Sequence, residues 1–273
     1  MPNHVDTILK VEGPDEEIQK FMDTCIVTIN QTDWEGNDKK DDEGNILTQE
    51  VFDFGTIIPF PKELENTRSP AYTERDYRKA VERNAPRSEL DEIMVSIGAS
   101  KKCKEETGYD NWYDFKCAEW GTKWGAYDYV ETDRAKGLLV FRYNTAWSPG
   151  VPVISKLGEM FPELHFVNNY LDEGWCYYGS HEVWGKHNID DVGDNKCDGP
   201  GFMNFANDLF GCVLSRCKEC GEIYDLSWAG YHDEETDDEI CESCHDKQVE
   251  DKEEQTRRDE KNGLYPEKED VAN

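Results

Sequence analysis

Cys217-Lys-Glu-Cys220 and Cys241-Glu-Ser-Cys244 are the residues of this chain whose types and spacing most clearly imply chemistry. Two CxxC pairs separated by enough chain for a hairpin let four thiolates converge tetrahedrally on one Zn²⁺. Gly221, directly after the second thiol, permits a tight knuckle turn, and Ile223 to Tyr231 offers the strand material of a zinc ribbon. His245 adjoins the second pair and could replace a thiolate, although four cysteines already close the shell. Iron in a rubredoxin-like site and a redox-active CxxC are alternatives, and neither is favoured because both pairs are needed to explain the spacing. A closed Cys₄ shell keeps no open coordination position, so the expected metal is a structural Zn²⁺ that performs no hydrolysis. The other cysteines, Cys25, Cys103, Cys117, Cys176, Cys197 and Cys212, are scattered and read as small buried hydrophobes or inert thiols.

The stretch between the pairs contains His232-Asp-Glu-Glu-Thr-Asp-Asp-Glu239. Its Asp233, Glu234, Glu235, Asp237, Asp238 and Glu239 would set a negative cluster on the ribbon, suited to a protein contact; the plainer reading is a solvated loop. Asp190, Asp191, Asp194 and Asp198 share a Gly-containing segment that could recruit a divalent cation, but their spacing matches no defined site. His165, His181 and His187 lie on or near the last predicted strands, where a His pair with an Asp could in principle act as acid and base. Walker A, GxGxxG, GxSxG, HExxH and kinase signatures do not occur. Trp120, Trp124, Trp147, Trp175 and Trp184 are expected to pack in the core and between strands, with Lys123 placed for a cation–π contact.

The elements that would carry these residues follow from the apolar pattern. Residues 4–13 alternate as a strand ending at Gly13, and Pro14 with Asp15, Glu16 and Glu17 opens a helix with Ile18, Phe21 and Met22 on its apolar stripe. Residues 33–46 read as an exposed loop, with Asp38 standing where a calcium loop starting at Asp33 would need Gly. Phe52 to Pro61 is expected to be extended, and 72–118 helical in pieces. Strands are expected at 120–128 and 137–147, then a helix at 153–161, then strands at 164–171 and 175–184 joined by Asp172-Glu173-Gly174. This is the split βαβ order of an α+β ferredoxin-like sandwich with a helical insertion and a C-terminal zinc ribbon. The expected domains are 1–205, with the insertion at about 65–118, then the Cys₄ ribbon at 206–247 and a charged tail at 248–273, either a fraying helix or disordered.

Several segments resemble a known group. Met1-Pro-Asn-His-Val, Phe52-Asp-Phe-Gly-Thr-Ile-Ile-Pro-Phe-Pro61, Trp120-Gly-Thr-Lys-Trp-Gly-Ala-Tyr-Asp128 and Thr145-Ala-Trp-Ser-Pro149 are similar to those of the YubB-type ferredoxin-like proteins of phages and conjugative plasmids. The resemblance covers roughly residues 1–185, and the Trp-Gly-Thr-Lys-Trp block is its most specific part. It implies a mobile-element origin and the fold, and it brings no catalytic residues with it.

Sixty Asp and Glu against 30 Lys and Arg give a net charge of −30. Such a surface repels phosphate backbones and anionic membranes, which excludes direct nucleic-acid or membrane binding, but it can enter the basic groove of a protein that binds nucleic acid. The N-terminus lacks the basic and apolar regions of a signal peptide and no segment reaches the roughly 20 apolar residues of a bilayer span, so the host cytoplasm is the expected location. The expected function is therefore a non-enzymatic phage or plasmid accessory protein that occludes the nucleic-acid-binding surface of a host protein, such as a restriction or CRISPR nuclease. The alternatives are a metal-dependent enzyme acting on nucleotides or nucleic acid through His165, His181 and nearby carboxylates, and a zinc-ribbon adaptor in phage replication or transcription. A homo-oligomer is compatible with the sequence.

Overall fold

The computed structural model describes residues 3–192, 197, 200–233 and 238–261, and the chain divides into two compact units, Met1–Asn195 and Lys196–Asn273. In the first unit β1 (His4–Glu12) alternates strictly, with Val5, Leu9 and Val11 buried on one face and His4, Asp6, Ile8, Lys10 and Glu12 half-buried on the other. Helix α1 (Asp15–Cys25) begins after Pro14 with three carboxylates in its first turn and buries Ile18, Phe21 and Cys25 along one stripe. The chain then leaves the body as a separate hairpin of β2 (Ile26–Asn30) and β3 (Thr48–Phe52), with Ile26 opposite Phe52 and Asn30 opposite Thr48. The segment between them is exposed, as expected for a loop, but it is built of hydrogen-bonded turns.

Where extended chain is expected from Phe52 to Pro61, a helical turn α2 (Phe54–Ile57) intervenes. Asp53 caps it by accepting the Gly55 N–H at 2.8 Å. The proline restriction reaches only Ile58 and Phe60, the residues directly before Pro59 and Pro61. The insertion follows as α3 (Glu74–Glu82), α4 (Arg87–Thr107) and the single turn α5 (Trp112–Phe115). A Thr73–Asp76 capping box starts α3, Gly108 in the left-handed region ends α4, and Ala80, Ile93 and Ile97 form a small core of their own. Met94, next to Ile93 on α4, faces solvent.

The strand expected from Trp120 begins seven residues later, because a π-helical turn over Lys116–Trp120 continues α5 until Gly121, at φ 72°, ends it. Then come β4 (Tyr127–Ala135), β5 (Leu138–Ala146), α6 (Val151–Met160), β6 (His165–Asp172), β7 (Tyr178–Trp184) and β8 (His187–Val192). The sheet order is β4-β5-β1-β6-β7-β8 and the pairings are antiparallel throughout. Strands β1 and β4 flank β5, and β5 and β6 flank β1, which is the interleaving of a split βαβ unit; β7 and β8 extend it at one edge. Helices α1 and α6 cover one face, where Phe21, Phe141, Leu157 and Phe166 meet in the main core. The fold is α+β and ferredoxin-like.

Of the tryptophans expected in the core, only Trp120 is fully buried, its Nε1 donating to the Ile58 carbonyl at 2.9 Å. Trp124, Trp147 and Trp184 are substantially exposed: Trp147 lies just past the end of β5, and Trp184 stands on the open face of the sheet.

The second unit holds α7 (Pro200–Phe210), β9 (Leu214–Arg216), β10 (Ile223–Asp225), a helical turn α8 (Leu226–Ala229), the hairpin β11 (Gly230–Asp233) and β12 (Asp238–Cys241), and α9 (Glu242–Lys261). The whole of α7 groups with this unit. The charged stretch from 248 is helical to Lys261, and 262–273 lie outside the described residues. Among the described residues no helix is long and apolar enough to cross a membrane.

Candidate metal centre

The first CxxC pair sits in the connection between β9 and β10, which pair from Leu214 opposite Asp225 to Arg216 opposite Ile223. Cys217 closes this hairpin by donating its N–H to the Glu222 carbonyl at 2.8 Å, and the Gly221 N–H returns to the Cys217 carbonyl at 2.9 Å. That return requires a left-handed residue, and Gly221 has a φ of 77°. Arg216 Nη1 ties the turn from outside through the Gly221 carbonyl at 2.5 Å. The second pair opens a helix: Cys241 ends β12 and Cys244 lies in the first turn of α9. The unit is compatible with a zinc ribbon, with the departure that its second pair opens a helix and that strand β10 is short before α8 begins.

All four sulfurs lie within 4.8 Å of one another, and Cys220 Sγ and Cys241 Sγ are 3.8 Å apart. A tetrahedron with bonds of about 2.3 Å has edges of about 3.8 Å, so the sulfurs stand close to the positions a bound ion would impose. Four soft donors in this arrangement can hold a metal ion, and the residues present fit that group.

The surrounding backbone favours negative charge on one of the sulfurs. Cys217 is 2 % exposed, and burial alone pushes its thiol up. The N–H groups of Cys220, Cys241 and Glu219 outweigh burial and bring Cys217 down to about 6, the Cys241 nitrogen standing 3.4 Å from the sulfur. Cys244 shares a hydrogen bond with Cys220 and is pushed up to about 12, while burial raises Cys241 even though its sulfur accepts the Cys244 N–H. The backbone donors thus favour the thiolate at Cys217, and a bound divalent ion would favour it across the cluster. These backbone donors are invisible to residue-type reasoning. Their only sequence signals are Gly221 and a CxxC pair that begins a helix.

Among the described residues the other candidates do not assemble into a second cluster. Asp233 and Asp238 face each other on the β11–β12 hairpin, with Glu239 opposite His232, while Glu234, Glu235 and Asp237 lie outside the described residues. Asp190 and Asp191 take consecutive positions of β8, opposite His181 and Ser180 of β7, and Asp194 and Asp198 lie outside the described residues. His181 pairs with Asn168 and His165 with Trp184, so these two histidines also belong to opposite faces. His181 is buried, its Nε2 3.1 Å from Ser155 Oγ, whereas His165 lies on the open face between Glu182 at 2.6 Å and Glu12 at 3.5 Å. His187 stacks on Trp184 with ring centroids 5.3 Å apart. Lys123 does lie over the Trp124 ring, at 5.0 Å.

Over residues 119–199 the chain matches a family model described as a ferredoxin-like domain in Api92-like protein. The match takes in β4 to β8 and stops short of the four cysteines. One solved structure, a protein api92 from Yersinia pseudotuberculosis, is similar over 71 % of this chain and 98 % of its own, at 9 % identity and a TM-score of 0.36. No curated protein matches the chain.

Proposed function

We propose that this chain is a non-enzymatic accessory protein of a phage or conjugative plasmid, that it acts in the host cytoplasm by occupying the basic nucleic-acid-binding surface of a host protein such as a restriction or CRISPR nuclease, and that its four-cysteine unit holds a structural Zn²⁺. The observation that carries this reading is the net charge of −30 on a chain that folds into ordered units. Many of its few cations are already engaged: Lys20 with Glu17, Arg87 with Asp91, Lys101 with Glu74, Arg142 with Asp6 and Arg257 with Glu253 are ion-paired within the chain. The surplus carboxylates leave a negative field that speeds encounter with a basic surface and repels the nucleic acid that would compete for it. The YubB-type resemblance supplies the mobile-element setting. Zinc is preferred for the cysteines because a tetrahedral all-thiolate site suits it and a closed shell gives the ion a folding role only. His165 and His181 lie on opposite faces of the sheet, which weighs against an enzyme reading that uses both histidines in one site.

Affinity capture of the tagged full chain from host cells, at low and at high salt, tests the reading. The expected result is a Lys/Arg-rich nucleic-acid-binding protein that washes off as ionic strength rises. Recovery of phage replication or transcription proteins would favour the adaptor reading instead, and salt-insensitive partners would contradict an electrostatic mechanism.

A further inference from the structure

The arm formed by β2 and β3 carries one turn twice. Asp33-Trp34-Glu35-Gly36-Asn37 and Asp41-Asp42-Glu43-Gly44-Asn45 differ only at their second residue. In the first, Asp33 Oδ1 accepts the N–H groups of Glu35 and Asn37, both at 2.9 Å; in the second, Asp41 Oδ1 accepts those of Glu43 and Asn45, both at 2.9 Å. Gly36 and Gly44 take left-handed φ values of 87° and 89°. The turns are tied to each other and to the stem by a ring of backbone bonds: Gln31 N–H to Leu47 at 2.8 Å, Leu47 N–H to Lys39 at 2.9 Å and Lys39 N–H to Gln31 at 2.8 Å. The tip is therefore an ordered three-way junction of hairpins.

Trp34 projects from this junction 91 % exposed. A single exposed hydrophobe often has no meaning, but here the molecule contains its own control. Asp42 occupies the same position of the second turn, and that turn closes with the same hydrogen bonds, so the fold has no need of tryptophan there. A rigidly presented indole loses little conformational freedom when it is buried by a partner, and tryptophan is among the residues that anchor interfaces. The surroundings select that partner. Asp33, Glu35, Asp38, Asp41, Asp42 and Glu43 surround the turns, against Lys39 and Lys40. Such a rim opposes stacking on nucleic-acid bases and insertion among anionic lipids, and it favours Lys and Arg around the indole, including cation–π contact with its face.

We propose that Trp34 is a docking anchor that inserts into an apolar pocket rimmed by Lys and Arg on a partner protein. The inference deepens the occlusion reading by giving it a contact, and needs from that reading only a basic partner. In the full chain, a photoreactive benzoylphenylalanine placed at position 34 and, separately, at position 42 should, in host cells, crosslink a protein from 34 and not from 42. The crosslinked peptide should combine apolar residues with Lys or Arg. Binding of the purified crosslinked protein should fall about tenfold or more in Trp34→Asp, recover in Trp34→Phe, and weaken with salt. Trp34→Asp reproduces the residue that the second turn already accommodates, so its circular dichroism and melting should match the parent. Equal crosslinking from both positions, crosslinks to lipid or nucleic acid, absence of any crosslink, or undiminished binding by Trp34→Asp would overturn the anchor. If the crosslinked protein does not bind nucleic acid, the occlusion reading fails while the anchor stands. If occlusion persists in Trp34→Asp, the reverse holds.

Discussion

Cys217 reaches the four-sulfur cluster from the β9–β10 turn and Cys244 from the first turn of α9, so replacing either leaves three donors and an incomplete tetrahedron. On the proposed zinc reading, elemental analysis of the purified protein should find about one ion per chain, and Cys217→Ser or Cys244→Ser should reduce it to a small fraction of that. Cys176→Ser, at an exposed cysteine of the first unit, should retain the metal. The ligand residues themselves are legible in the sequence, because CxxC spacing is a local property that survives without a fold. The N–H groups aimed at Cys217 are not, since they depend on the course of the backbone. His165 and His181 show the same divide in reverse: they look like a pair along the chain, and a register that places Asn168, three residues after His165, opposite His181 sends them to opposite faces.

At the scale of elements, α6 approaches β7 so closely that only glycine fits between them. A Cβ on Gly158 would stand 2.2 Å from Val183 Cγ1 and 2.7 Å from the Gly185 carbonyl. Gly158→Ala should therefore destabilise the first unit by about 1–3 kcal/mol, seen as a lower urea midpoint. Gly98→Ala on α4, where a Cβ meets open space, should be neutral or stabilising by up to about 1 kcal/mol. Equal loss in both variants would contradict the tight α6–β7 contact. The order of β1, α1, β5, α6, β6 and β7 is legible because each alternates or repeats at its own period and has a Gly or Pro near at least one end. Other elements escape that test, β2, β8 and the start of β4 among them. β2 follows α1 with no breaker between Cys25 and Ile26, β8 is an edge strand rich in Asn and Asp, and β4 starts late because helix persists through Trp120. The repeated turns of the arm are visible in the sequence as an eight-residue recurrence, but turn composition alone reads as loop.

The two units of the molecule should respond differently to chelation. Among the described residues the cluster around the cysteines buries Cys217, Tyr224 and Ile240, a small set beside the large aromatic core of the first unit, so the site should lean on its ion. A strong zinc chelator should abolish amide-exchange protection in β9, β10 and β12 while leaving that of β1, β5 and β6 unchanged; loss of protection in both units would contradict their independence. At the scale of the whole molecule, the 30 surplus negative charges are proposed to make the surface a mimic of a polyanion. The most direct test of this mimicry is to titrate the purified chain into the captured partner bound to a labelled nucleic acid, following fluorescence anisotropy at low and high salt. Complete displacement of the nucleic acid at low salt is expected, with an apparent affinity that falls steeply as salt rises. A ternary complex in which the nucleic acid stays bound at full saturation would contradict the mimicry.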